Sequence, residues 1–205
     1  MFTGITQGTF EVTGVERSPD LLRYAVTLSS PLASGLQVGA SVSIDGVCQT
    51  VVAIDGGGSV TFEAIRETLE RTTLGDLQKG QKVAIERSAR VGDEVGGHDV
   101  SGHVLGTGEI VQCVEDGHVY DLLVRVPAAW MKYVLPKGFI AVDGSSLTVG
   151  RVDSGDRFWL HLIPETLRLT NFGQKNEGDR VNVEVDARTI AIVDTVERVL
   201  EERSL

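Results

Sequence analysis

Asp45-Gly46-Val47-Cys48-Gln49-Thr50-Val51 and Asp143-Gly144-Ser145-Ser146-Leu147-Thr148-Val149 are one turn-and-strand signal written twice, 98 residues apart. The same shift carries Glu67-Thr68-Leu69 onto Glu165-Thr166-Leu167, and Gly4, Gly8, Thr9 and Glu11 onto Gly102, Gly106, Thr107 and Glu109. From position 45 to 86 no gap is needed and 15 of 42 positions are identical. Unrelated stretches of average composition would share roughly 3. A repeat this long is a whole folding unit, since solenoid modules run only ~20–50 residues. The chain is therefore read as two similar domains, residues 1–97 and 98–188, followed by a tail at 189–205. The polar run Arg90–Gly97 is the junction.

Within each copy the apolar residues alternate. Val42 and Ile44 precede the Asp45-Gly46 turn, Val60 and Phe62 follow Gly56-Gly57-Gly58, and Leu122, Val124 and Val126 recur at every second position. Short β-branched runs between Gly/Asp/Ser turns predict an all-β chain, and about six strands per copy suit a small closed barrel, which leaves no edges exposed. Short helices are expected at 31–36, 67–72, 127–134 and 165–170, with Thr68 and Thr166 as caps. The tail differs from the rest. Thr189–Arg203 lacks Gly and Pro, and Ile192, Val193, Val196, Val199 and Leu200 form a narrow apolar stripe at helical spacing. The pattern divides evenly between docking onto its own barrel and packing against another copy.

Charge and cysteine content narrow the function classes. With 19 Lys+Arg against 29 Asp+Glu the net charge is −10, and no basic cluster is present, which argues against nucleic acid and anionic membranes as partners. Two cysteines, Cys48 and Cys113, sit at non-equivalent positions and make neither a disulfide framework nor a zinc pattern, as in a reducing cytoplasm. The start of the chain has no secretory pattern, and no apolar stretch approaches ~18 residues. Phosphate-loop, dinucleotide and nucleophile-elbow signatures are missing.

Mismatches between the copies carry the functional information. Cys48 matches Ser146, Ile5 matches His103, Gln49 matches Leu147 and Ser88 matches Asp186. Cys48 reads as a nucleophile or proton handler, or as a small buried hydrophobe. Cys48 with Thr50, and Ser146 with Thr148, share a strand face and can hydrogen-bond a ligand at a barrel mouth. His98 and His103 point to opposite sides of an extended segment, so a metal site is not expected, whereas His103 suits a general base or hydrogen-bond donor. Lys137 reads first as a solvated turn lysine and Asp186 as a buried acid or a turn residue. The residues alone give a duplicated barrel with two unequal polar pockets for a small molecule.

Met1-Phe2-Thr3-Gly4-Ile5, Gly46-Val47-Cys48, Gly96-Gly97-His98-x-x-Ser101-Gly102-His103-Val104, Lys132-Tyr133-x-x-x-Lys137-Gly138, Asp143-Gly144-x-Ser146-Leu147-Thr148-Val149, Ile163-Pro164-Glu165-Thr166-Leu167 and Val193-Asp194-Thr195-Val196-Glu197-Arg198 together resemble the riboflavin synthase family of alpha-chain type, a lumazine-binding barrel family. The resemblance covers essentially the whole chain. It implies two tandem six-stranded Greek-key barrels, a homotrimer held by C-terminal helices, and a cofactor-free dismutation of two 6,7-dimethyl-8-ribityllumazine molecules. Each barrel would hold one substrate, the pair meeting between neighbouring subunits. An association with lumazine synthase is a further implied partner. Lumazine proteins, non-catalytic carriers on the same barrels, are the alternative, kept open by Gln49, where the family usually has Leu, although alternation turns its side chain away from Cys48 and Thr50. Asn171, where Thr is usual, concerns packing.

By that resemblance, Ser146, Thr148 and His103 serve the molecule on the second barrel, and Cys48 and Thr50 the molecule on the first. Ser41 and Asp186 are second-line candidates for proton handling or for ribityl hydroxyls. Gly4, Ile5 and Thr6, and likewise Gly102, His103 and Val104, approach the ring edges. Gln49 and Leu147 accompany their strand neighbours. Glu63, Ala64, Ile65, Arg66, Glu67 and Thr68 line one pocket. His161, Leu162, Ile163, Pro164, Glu165 and Thr166 line the other, and Lys137 reaches across.

Overall fold

The computed structural model describes residues 1–117, 119–153 and 155–203. Each copy of the repeat closes into a six-stranded barrel. The first comprises β1 (Thr9–Arg17), β2 (Leu21–Thr27), β3 (Ser41–Ile44), β4 (Val47–Ile54), β5 (Ser59–Ile65) and β6 (Lys82–Arg87). The second comprises β7 (Gly106–Asp116), β8 (Val119–Arg125), β9 (Phe139–Val142), β10 (Ser145–Asp153), β11 (Arg157–Leu162) and β12 (Arg180–Val185). Around the first barrel the order is β1-β2-β5-β4-β3-β6, and the second repeats it six strands later. β2 pairs with β5, and the β3–β4 hairpin fills the space between β5 and β6, a Greek key. Both Asp-Gly turns have positive φ at both residues (44° and 83°; 43° and 79°), the geometry a tight right-twisted hairpin needs.

Strand alternation fills both interiors. Val42, Ile44, Val51, Phe62 and Ile85 pack inside the first barrel, and Ile140, Val142, Val149, Leu160 and Val183 occupy the matching positions of the second. A barrel this narrow is filled by its own side chains. On β4, Val47, Gln49 and Val51 are buried while Cys48 is half-buried and Thr50 exposed. The polar pair therefore lies on the outer wall and not at a barrel mouth, because the inward positions are taken by core residues.

The helices are α1 (Ser30–Ala33), α2 (Arg66–Arg71), α3 (Pro164–Leu169) and α4 (Ala187–Arg203). The stretch at 127–134 is a 3-10 turn, Ala128–Tyr133. Thr68 and Thr166 do not cap: Ile65 and Ile163 hold the N-cap positions, and Thr72 and Thr170 donate their hydroxyls back to the carbonyls of Thr68 and Thr166. Asp186 caps α4 instead, accepting from the N–H and hydroxyl of Thr189. α4 leans on its own barrel through polar contacts, with Lys132 bonded to Asp194 and Glu197, and Tyr133 to Asp194. Ile192, Val196 and Val199 stay exposed.

The two barrels exchange their leading arms. Phe2 and Val100 form a two-stranded bridge, buried with Ala141 at the seam. Each arm is anchored to the last strand of its own barrel: Glu86 accepts from Thr3 N, Thr3 Oγ1 and Gly4 N, and Glu184 accepts from Ser101 N, Ser101 Oγ and Gly102 N. Each arm then crosses to the other barrel. Ser146 N donates to Gly4 O at 2.8 Å, and Cys48 N donates to Gly102 O at 2.9 Å. Glycine is required at both crossings. A Cβ on Gly4 would stand 2.5 Å from the Ser146 Cβ, one on Gly102 2.6 Å from the Cys48 Cβ, and both residues have positive φ.

Candidate functional site

The arm exchange builds two matching recesses on the outer walls. One, of about 230 Å³, is lined by Cys48, Glu67, Thr68, Arg71, Gly102, His103 and Val104, among others. The other, of about 80 Å³, is lined by Gly4, Ile5, Thr6, Ser145, Ser146, Leu147 and Thr166 with neighbours. Each has the same parts: the outward residue after an Asp-Gly turn, a short helix, and the glycine arm of the opposite copy. Larger polar cavities of about 610 and 620 Å³ lie at the barrel seam and beside the 88–96 linker. Neither includes Cys48 or Ser146, and the seam cavity joins equivalent positions of the two copies in one space, such as Leu77 with Lys175 and Lys82 with Arg180.

One grouping is corrected. His103 lines the recess of Cys48 and not that of Ser146, because its arm crosses to the first barrel, and Thr148 lines neither. Ile5, its counterpart, lies beside Ser146. Gln49 points away from Cys48 and Thr50, as alternation along the strand predicts. Its side chain is buried inside the first barrel, where it accepts from Tyr24 Oη at 3.2 Å and donates to Cys48 O at 3.0 Å. In the second barrel Tyr24 and Gln49 are matched by Leu122 and Leu147. The departure at position 49 is thus half of a core swap and does not reach the recess wall.

Other expected residues surround the recesses without lining them. Glu63 pairs with Arg23, and its counterpart His161 bonds Asp121 at 2.7 Å. Ala64 and Leu162 face the cores. Ile65 and Ile163 are exposed, as are Thr50 and Thr148. Arg66 pairs with Glu70, Pro164 opens α3, and Glu165 pairs with Arg168. Ser41 accepts the hydroxyl of Ser88 at its carbonyl. Lys137 holds φ 67° where the first copy has Gly39, an arrangement that costs a side chain ~1–2 kcal/mol. Asp186 is committed to its cap, whose hydrogen bonds outweigh burial and hold the carboxyl below its ordinary range.

Sequence reasoning missed a short side-chain contact behind the Ser146 recess. His98 Nδ1 lies 2.6 Å from Ser146 Oγ, and its ring stacks on Phe139 at 5.1 Å between centroids. His98 is buried, and burial pulls the imidazole below its usual value against the opposing charges of Asp186, Glu184 and Asp99. The available signal was its position: a 98-residue shift leaves His98 without a counterpart.

The lumazine binding domain family matches this chain twice, over residues 3–88 and 101–186. Riboflavin synthase of Escherichia coli (strain K12) is 46% identical over 204 residues, 99% of this chain and 95% of the relative. The chain belongs to the riboflavin synthase family. Riboflavin synthase of Mycobacterium bovis is 42% identical over 189 residues, covering 91% and 93% of the two chains. Among solved structures, LumP complexed with riboflavin superposes with a TM-score of 0.84 at 24% identity, covering 90% of this chain and 99% of that one, a likeness of fold.

Proposed function

We propose that this chain is a riboflavin synthase, which takes two 6,7-dimethyl-8-ribityllumazine molecules and moves a four-carbon unit from one to the other, releasing riboflavin and 5-amino-6-ribitylaminouracil. The observation that carries this reading is the pair of equivalent recesses with unlike side chains, Cys48 and His103 at one, Ser146 at the other. A reaction between two identical molecules needs two similar sites with different tasks. The lumazine C7 methyl is acidic because its carbanion spreads into the ring. Ser146 serves the molecule that gives up this proton, and Cys48, with His103, the molecule whose C7 is attacked. Holding the rings together makes a bimolecular step effectively unimolecular.

The active unit is a homotrimer. Each recess is smaller than the ~300 Å³ at which small-molecule pockets begin, so a ribityllumazine needs a second wall. The exposed stripe of Ile192, Val196 and Val199 on α4 supplies a surface for bringing copies together. Lys137, Glu63 to Thr68 and His161 to Thr166 then close around the ligands across the interface.

Mixing the purified protein with 6,7-dimethyl-8-ribityllumazine and following the growth of riboflavin absorbance tests the reading. Conversion is expected without added cofactor. Tight binding with no conversion overturns it in favour of a carrier.

A further inference from the structure

We infer that His98 is the proton acceptor behind Ser146, drawing the serine proton away as Ser146 removes a proton from the bound ligand. The inference rests on the riboflavin synthase reading and assigns a role to a residue outside the recesses. Ser146 stands between His98 and the cavity: its backbone is pinned to the Gly4 arm, and its hydroxyl meets Nδ1 at 2.6 Å. Gly97 keeps this approach open, since a Cβ there would fall 2.8 Å from Ser146 Oγ. The imidazole is fixed by its stack on Phe139 and by His98 N donating to Thr3 O at 3.2 Å. Among the described residues the first copy shows no such partner at Cys48, whereas the second recess carries a serine with a base behind it.

The proton count closes. One proton leaves the ligand methyl for Ser146 Oγ while the serine proton moves to Nδ1 of His98. The net change is a neutral imidazole becoming imidazolium and a neutral methyl becoming a delocalised carbanion, with no charge left on the serine. The imidazolium then sits among the carboxylates that face it, Asp99 on its own segment and Glu184 and Asp186 at the end of β12. Arg188 on α4 opposes them and is itself paired with Asp99. Burial keeps the resting ring neutral and these charges favour its protonated form, as a base acting near neutral pH requires.

His98 does not touch ligand, so it is a positioning residue, and the test separates proton transfer from simple support. His98→Asn keeps an acceptor near Nδ1 but cannot take a proton, and His98→Phe keeps the stack alone. Both are expected to bind riboflavin as wild type does and to lose turnover by ~10²–10⁴. In wild type kcat falls as pH drops below the usual histidine range, because the base must be neutral. In His98→Asn that limb disappears. His98→Asn combined with Ser146→Ala is expected to be no slower than either alone, as for residues acting as one unit. Full turnover in His98→Asn, a persisting acid limb, or losses that multiply in the double variant overturns the relay. Exchange of the C7 methyl protons with deuterated water on bound lumazine gives an arm independent of turnover. Wild type that speeds exchange but makes no riboflavin overturns the functional reading alone, and the relay then stands or falls on whether His98→Asn abolishes that exchange. Wild type that does neither overturns both.

Discussion

Replacing Asp45 with Asn should stabilise the protein above neutral pH and leave it little changed in acid. Asp45 and Asp143 are buried where the two Asp-Gly turns abut, a Cβ on Gly46 falling 2.5 Å from Gly144 N. Ala84 N and Asn171 Nδ2 donate to Asp45 Oδ1 at 2.6 and 3.1 Å, Asn182 N donates to Asp143 Oδ1 at 2.7 Å, and Lys175 Nζ is 3.0 Å from Asp143 Oδ2. One ammonium thus serves two carboxylates. Burial first, then the charge of Asp143, push Asp45 from an ordinary 3.8 up to about 7. For an acid raised by folding, the native state keeps a proton that the unfolded chain has released. Its contribution is intact below the unfolded value and is lost as pH rises through about 7. The full loss is on the order of 4 kcal/mol. The amide introduced by Asp45→Asn retains an acceptor for Ala84 and Asn171 and removes the charge. Urea unfolding at fixed protein concentration should therefore show a gap in favour of the variant that approaches this figure at pH 8, narrows to less than half of it at pH 5 and closes only as pH falls below the unfolded value of 3.8. A gap independent of pH, or a variant weaker than wild type at pH 8, refutes the reasoning.

Three further outcomes are expected. Gly102→Ala should lose ~2–5 kcal/mol from left-handed strain and overpacking against Cys48, and with it ligand binding at that recess, read by thermal unfolding and riboflavin titration. Gln49→Leu alone should cost ~1–3 kcal/mol by stranding the buried Tyr24 hydroxyl, and adding Tyr24→Leu, which copies the second barrel, should recover most of it in the same unfolding assay. Removing residues 187–205 should give monomers that bind riboflavin weakly and turn over little, so fully active monomers by light scattering and kinetics would refute a site shared between subunits.

Much of the fold was legible because the signals were local. Alternation and Asp-Gly turns specify hairpins within a few residues, and the repeat gave the unit twice. The helix caps misled because a threonine suits a helix start as well as a last-turn bond to a carbonyl, and sequence does not choose between them. The outward placement of Cys48 and Thr50 followed from Val47, Gln49 and Val51, but Gln49 obscured which side was core. Its match with Tyr24, a polar pair replaced by two leucines, was visible only across two strands. The recess partners were harder still. His103 joined Cys48, and His98 joined Ser146, through the crossing of arms, and no period or propensity records on which barrel an arm lands. Lys175 where the first copy has Leu77, and Asn171 where it has Thr73, were the traces of the buried acid pair.

The crossing of arms also dictates a schedule for biogenesis. During synthesis the first barrel can close once β6 has left the ribosome, yet the carbonyl of Gly4 has no strand to receive until β10 emerges, and Cys48 stays uncovered until the second arm follows. A nascent chain therefore carries a bare β4 wall until Gly102 emerges, and a closed first barrel with a dangling leader until Ser146 does. Premature pairing between neighbouring nascent chains on one messenger would satisfy the same hydrogen bonds, so the interval before β10 is when this protein is most exposed to assembling in the wrong company.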